Sequence, residues 1–216
     1  MIVGMWMTRD VVSDVPGVTI AHAADLMSRR HVRRLPVVDK QGGGPRLLGI
    51  VTSHDLFRAY PEHINPFSPL AENAQLEDAV VGDVMHRNPV TTAPGAPIEQ
   101  AARAMCDHKI GGVPVVDKGL LVGIITESDI FRAFVAVLES PSGSVRITLS
   151  MAANEDVFAL IHKLATPLQV RVVSLMSTHH HETPVCVVRL SGGDLDRFLD
   201  DLWKSGHHVI NVLRIP

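Results

Sequence analysis

Aromatic side chains are scarce in this sequence: Phe, Trp and Tyr make up 4% of 216 residues, although 46% of the chain is hydrophobic. A core built under that restriction is drawn from Val, Ile, Leu, Ala and Met, the residues of short strands alternating with helices. Cysteine is almost absent as well. Cys106 and Cys186 stand far apart and in no Cys-x-x-Cys pair. That excludes a disulfide framework and a zinc site of that type, and reads both as small reduced hydrophobes in a cytoplasmic protein. Neither sign of charge dominates. The 20 Lys and Arg against 23 Asp and Glu leave a net charge of −3, too small and of the wrong sign to neutralise a nucleic-acid backbone over a broad face. No apolar run reaches the roughly 18 residues that a membrane-spanning helix needs, and the opening MIVGMWM lacks the basic stretch that begins a signal peptide. The expectation is a soluble cytoplasmic protein with neither nucleic acid nor membrane as a partner.

What the sequence has instead is a duplication, and a repeat decides the fold before any single element does. Residues 3–40 match residues 81–118 at 16 of 38 positions. The second copy then drops four residues where the first reads QGGGPRL, and residues 47–60 match residues 121–134 at 8 of 14 positions. PVVDK stands at 36–40 and again at 114–118, and GIVTSHDLFRAY at 49–60 returns as GIITESDIFRAF at 123–134.

Each copy shows the same order of elements. Ile20, Ala23, Ala24 and Met27 fall at i, i+3, i+4 and i+7, as do Ile98, Ala101, Ala102 and Met105, so each copy holds a helix with one apolar stripe. LPVVD with LLGIVT, and VPVVD with LVGIIT, are β-branched runs separated by Gly-rich turns, hence paired strands. A helix follows each pair, from Ser53 and from Glu127. The unit is strand, helix, strand, strand, helix, and one such unit alone leaves a sheet face bare that a second copy covers. VGMWM at 3–7 aligns with VGDVM at 81–85, so Met1–Met7 is expected inside the fold.

The turn into the last helix reads Thr-x-x-Asp in both copies. Thr52 with Asp55 and Thr126 with Asp129 fit a capping box, the Thr at the N-cap and the Asp three residues on. The same geometry suits a ligand. A helix N-terminus offers N–H donors to phosphate, and an ionised Asp offers two acceptors to the vicinal hydroxyls of a ribose.

The PVVD strand, the Gly-hydrophobic-hydrophobic-Thr-x-x-Asp turn and the doubling of both resemble the tandem cystathionine-β-synthase (CBS) domain pair, over roughly residues 1–138. The resemblance implies an α/β pair of β-α-β-β-α repeats at 1–60 and 81–138 with a linker at 61–80. It also implies clefts that bind adenosine derivatives: AMP, ADP, ATP or S-adenosylmethionine. In those clefts Asp55 and Asp129 would meet ribose and Thr52 and Thr126 phosphate. Backbone at Arg33-Arg34-Leu35 and Gly111-Gly112-Val113 would lie beside adenine. The copies differ there: RRHVRRLPVVD faces DHKIGGVPVVD, so Arg33 and Arg34 are phosphate candidates without a counterpart, and the two sites are expected to be unequal.

After ESPSGS at 139–144 the pattern changes. VRITLSM, EDVFALIHKL, VRVVSLM, PVCVVRL, DLDRFLDDLWKSG and HVINVLRI run β-α-β-β-α-β, the order of a small α+β, ferredoxin-like domain over 145–216. Behind a CBS pair this resembles the ACT domain of acetoin-utilisation-type CBS–ACT proteins, although Ala152-Ala153-Asn154-Glu155-Asp156 replaces the Pro-Gly loop by which ACT domains hold amino acids. His179-His180-His181-Glu182 is expected to be an exposed turn rather than a metal site, because consecutive side chains diverge. No nucleophile motif surrounds Cys106. The reading is a non-catalytic regulatory module, a homodimer or larger, that senses an adenosyl ligand. Its alternatives are a structural dimerisation module with vestigial clefts and a regulatory subunit of an unidentified enzyme.

Overall fold

The computed structural model describes residues 1–59, 79–139, 142–151, 156–180 and 183–216. They form two compact units, Met1–Val137 and Leu138–Pro216. Most of the 61–80 linker and residues 152–155 of the ACT-type loop lie outside the described residues.

In the first unit the opening copy holds helix α1 (Ile20–Arg29), strands β1 (Arg34–Asp39) and β2 (Arg46–Thr52) and helix α2 (Ser53–Ala59). The second copy holds α3 (Val81–Val84), β3 (His86–Arg87), α4 (Ile98–His108), β4 (Gly112–Asp117), β5 (Leu120–Thr126) and α5 (Glu127–Leu138). Thr19 starts α1 by accepting a hydrogen bond from the His22 amide at 3.1 Å, and the α1 stripe Ile20, Ala23, Ala24 and Met27 is buried. Both hairpins are antiparallel, and each carries a bulge at the same place, Val37/Val38 and Val115/Val116. An extended residue runs in parallel beside each bulge, Asp14 beside Val37 and Thr92 beside Val115. The hairpins join edge to edge through β2 and β5, giving the strand order β1-β2-β5-β4 with β3 on β2.

The expected first strand of each repeat is not a strand. Val3–Met5 is a single 3-10 turn, and α3 is one short helical turn. The buried residues are Val3 and Met7 in one copy and Val81 and Met85 in the other, while Met5 and Asp83 midway between them are exposed, so burial follows the helical turn; an alternating strand would bury the middle residue too. Each segment also packs into the other repeat. Val3 and Met7 join Ile98, Val113 and Ile125, while Val81 and Met85 join Ile20, Leu35 and Val51. The backbone repeats the exchange. Val3 and Gly4 donate to the carbonyls of Ala96 and Pro94 at 2.9 and 2.7 Å, and Val81 and Gly82 donate to those of Val18 and Pro16, both at 2.8 Å. The glycines permit the approach, since a Cβ at Gly4 would stand 3.0 Å from the Pro94 oxygen.

The second unit contains β6 (Ser144–Ser150), α6 (Val157–Ala165), β7 (Arg171–His180), β8 (Thr183–Ser191), α7 (Leu195–Lys204) and β9 (Val209–Arg214). Its sheet runs β7-β8-β6-β9, antiparallel throughout. Asp156 and Asp194 cap the two helices, each accepting from the amide three residues on at 3.0 Å. Val145, Ile147 and Leu149 of β6 and Cys186, Val188 and Leu190 of β8 share one face of the sheet, and they close a core with Ile161 and Phe198 of the helices.

Candidate functional site

β2 and β5 each run directly into a helix, and the Thr-x-x-Asp turn forms both junctions. Thr52 donates to Asp55 Oδ2 from its hydroxyl at 2.7 Å and its amide at 2.8 Å, and its hydroxyl accepts from the Asp55 amide at 3.3 Å. Thr126 repeats the two donations to Asp129 Oδ2 at 2.7 and 2.8 Å. The first amide of each helix is anchored to the segment before the PVVD strand: Ser53 donates to the Arg33 carbonyl at 2.9 Å, and Glu127 to that of Gly111 at 3.2 Å. The reciprocal capping box is thus complete in the first copy, and the second copy shows its carboxylate half, Asp129 accepting from Thr126.

The other carboxylate oxygen separates them. Oδ1 of Asp55 lies 3.0 Å from Nε2 of His86, an exposed side chain. Burial alone would raise the Asp55 carboxyl, but the hydroxyl and amide of Thr52 and the His86 ring outweigh it and hold its pKa below the ordinary carboxylate value. In the second copy the position aligned with His86 is Thr8, which carries no cation. There Oδ1 of Asp129 pairs instead with the Arg132 guanidinium, and Asp129 is only 1% exposed.

Two cavities flank the line between the repeats. The first, about 600 Å³, contains Thr52, Ser53, His54 and Asp55 of the first copy with His86–Val90 and His108–Gly112 of the second. The second, about 390 Å³, is its counterpart, with Thr126, Glu127 and Ser128 opposite residues from Thr8 to Val12 and from His31 to Arg34. Their charges differ. Among the described residues, Arg33, Arg34, Arg87 and Lys109 line the first cavity with one carboxylate, Asp55. In the second, Arg33 and Arg34 are balanced by Asp10 and Glu127.

Arg33, Arg34 and Gly111 line both cavities. Arg34 opens β1, and its side chain crosses onto the second repeat, lying over Gly111 and Gly112. A Cβ at Gly112 would stand 3.4 Å from Arg34 Cδ, and one at Gly111 would overlap the guanidinium while standing 2.8 Å from a carboxylate oxygen of Glu127. Burial lowers the pKa of Arg34, and the charge of Arg33 adds to that, whereas the Glu127 carboxylate opposes it.

The sequence-based candidates thus divide. Thr52, Asp55, Arg33, Arg34, Gly111 and Gly112 line the first cavity, and Thr126 lines the second with the two arginines and Gly111. Leu35 and Val113, whose backbone is the expected contact, are outside the lining of these two cavities, and their side chains are fully buried in the two cores. Asp129 lies outside the lining of both cavities, covered by Arg132. Arg87 and Lys109 went unrecognised as site residues because they reach the first cavity from the other repeat. The signal available was alignment, which sets Lys109 opposite His31, each in a left-handed turn after its helix, at φ 54° and 53°.

A profile of the CBS domain matches residues 3–62 and 81–136, which are the two copies; residues 137–216 lie outside the match. A CBS domain-containing protein of Dictyostelium discoideum is 37% identical over 125 residues, 56% of this chain and 82% of that protein. Among solved structures, the CBS domain pair of protein MJ0100 in complex with 5′-methylthioadenosine and S-adenosyl-L-methionine is similar, with a TM-score of 0.51 and 30% identity over 63% of this chain and 97% of that one. CBSX2 from Arabidopsis thaliana, solved in complex with AMP, matches with a TM-score of 0.52 and 29% identity over 64% of this chain and 98% of that one. Other curated relatives are longer, and the match spans as little as 22% of their length.

Proposed function

The chain belongs to the CBS-domain family, and we propose that it is a non-catalytic sensor that binds a phosphorylated adenosine, AMP, ADP or ATP, in the first cleft. The observation that carries this reading is the pairing, in one cavity, of an ionised Asp55 with four cationic side chains. The carboxylate offers its Oδ1 to ribose hydroxyls once exposed His86 swings away, and Arg33, Arg34, Arg87 and Lys109 supply charge-assisted donors to phosphate. The complexes of MJ0100 and CBSX2 support the adenosyl half of the ligand. S-adenosylmethionine is the weaker fit, because its sulfonium brings a positive charge to a cationic cavity. The second cleft, with balanced charge and a covered Asp129, binds more weakly. On this reading the second unit is an ACT-like domain, supported by its β-α-β-β-α-β order, and the partners are the small molecule, a second copy of the chain and a protein whose activity the ligand state regulates.

Thermal unfolding with each compound tests the reading. A ligand present at 100 times its Kd stabilises the folded state by about 2.7 kcal/mol. AMP, ADP or ATP is expected to raise the Tm more than adenosine or S-adenosylmethionine does. Absence of any shift with all five overturns the proposal.

A further inference from the structure

The alignment of the copies sets Arg34 opposite Gly112 and Arg33 opposite Gly111. A symmetric pair would present one guanidinium to each cleft. This chain has instead placed Arg34 in the middle, with its stem on Gly111 and Gly112 of the second repeat and its head beside Glu127. The missing side chains at 111 and 112 make room for it, and it borders both cavities. Arg33 borders both too, but its side chain is exposed, so water screens its charge more strongly. A half-buried guanidinium forms strong charge-assisted bonds to phosphate, and its single positive charge, once paired with a phosphate in one cleft, attracts a second phosphate in the other cleft less strongly.

We propose that Arg34 is one guanidinium shared by the two clefts, so that a phosphorylated adenosine bound in either cleft lowers the affinity of the other for a second. This rests on the reading of the clefts as adenosyl sites. Glu127 sets the resting position: it holds Arg34 until a phosphate on either side outcompetes it, and the opposite cleft then loses the guanidinium; where that is the second cleft, Glu127, which lines it, is also left unopposed. The reciprocity follows from linkage, because a first ligand that weakens a second must be weakened by it to the same degree.

The test separates the clefts with aligned plugs. His54 and Ser128 are equivalent exposed residues at the second position of α2 and α5, each lining one cavity only. His54→Trp obstructs the first cleft and Ser128→Trp the second. AMP and adenosine are titrated calorimetrically into each plugged protein with Arg34 intact and with Arg34→Gln. Arg34→Gln is expected to weaken AMP about tenfold or more in both plugged proteins, while adenosine changes by less than about twofold. In the unplugged protein the same substitution leaves the second AMP step unchanged, because Arg34 is already engaged by the first ligand. Glu127→Gln, which frees Arg34 without removing it, is expected to tighten AMP in both plugged proteins, and provides the test should Arg34→Gln fail to fold. A loss of AMP affinity confined to one cleft, an equal loss for adenosine, or no tightening by Glu127→Gln overturns the inference while leaving the sensor reading in place. Failure of AMP and adenosine alike to bind the unplugged native protein overturns both.

Discussion

The thioether of Met7 lies against the bare backbone of Gly123, where an added Cβ would come within 2.6 Å of its sulfur, and Met85 stands in the same relation to Gly49 at 2.8 Å. Each contact joins the leading segment of one repeat to the sheet of the other, so the two halves of the first unit hold one another shut. Thr8 extends the first contact, exchanging backbone hydrogen bonds with Ile124 at 2.9 Å in both directions. Gly123→Ala is expected to destabilise by about 1–3 kcal/mol through overpacking. Deleting Met1–Met7, which removes two core side chains as well, is expected to cost more. Urea denaturation measures both, and an unchanged midpoint after the deletion would show that the segment adds nothing to the core.

The two Thr-x-x-Asp turns share the Thr and the Asp and are expected to respond differently to loss of the carboxylate. Asp55→Ala removes a group that lines the first cavity and should weaken AMP by about 1.5–3 kcal/mol, the range for a hydrogen bond to a charged group. Asp129→Ala removes a buried cap from α5, so its main expected effect is on stability, about 1–2 kcal/mol. Calorimetry and denaturation on both variants check the split; equal losses of AMP affinity with no loss of stability would place the two carboxylates in equivalent roles.

Asp55 also carries a pH dependence. Its folded-state pKa lies below the ordinary value, which is about 3.9, so protonation favours the unfolded chain. The contribution of the first box is complete above the unfolded value and disappears as pH falls through the lower folded one. Asp55→Asn should therefore be less stable than the native chain near neutral pH, and the gap should close in acid. A gap that stays constant down to about pH 3 would remove ionisation of Asp55 from the account.

The cysteines divide in the same testable way. Cys106 is exposed, whereas Cys186 is buried in the core of the second unit, which pushes its thiol up to about 11. A thiol reagent at neutral pH is expected to label one cysteine in the folded protein and two after denaturation. Labelling of both at equal rates in the folded protein would mean that β8 opens readily.

The hairpins and the long helices were legible because every signal appears twice: PVVD and GIVT or GIIT alternate in both copies, and both apolar stripes keep a spacing of three and four. The leading segments were not. Val3 and Met7 enclose only three residues, too few to tell a helical period from an extended one, and the core that they enter belongs to the other repeat. The site shows the same limit. Thr52 and Asp55 could be placed from their own copy, but Arg87 and Lys109 come from the other repeat, and so does the His86 that meets Asp55, whereas Asp129 pairs with Arg132 of its own helix. Local chemistry is written in a motif, whereas its partners are set by packing.

Phe57 and Phe131 occupy equivalent positions in α2 and α5 and remain 51% and 68% exposed, in a chain with few aromatic residues. Phe134 and Val135 add to the apolar surface of α5, and Val172, Ile210 and Leu213 lie exposed on the second unit. Burying a phenylalanine stabilises by about 1.5–3 kcal/mol, so large side chains left in water on both copies favour association, and a two-fold contact uses one patch twice. The chain is expected to be a homodimer or larger at micromolar concentration. Phe57→Asp and Phe131→Asp are each expected to weaken the assembly by about tenfold or more, since a carboxylate buried in such a contact lacks a partner. Light scattering on the native chain, the two variants and a chain ending at Leu138 separates the contributions. A monomeric native chain sinks the expectation. A shortened chain that associates as tightly as the full one confines the contact to the CBS helices, and one that falls apart assigns part of it to the second unit.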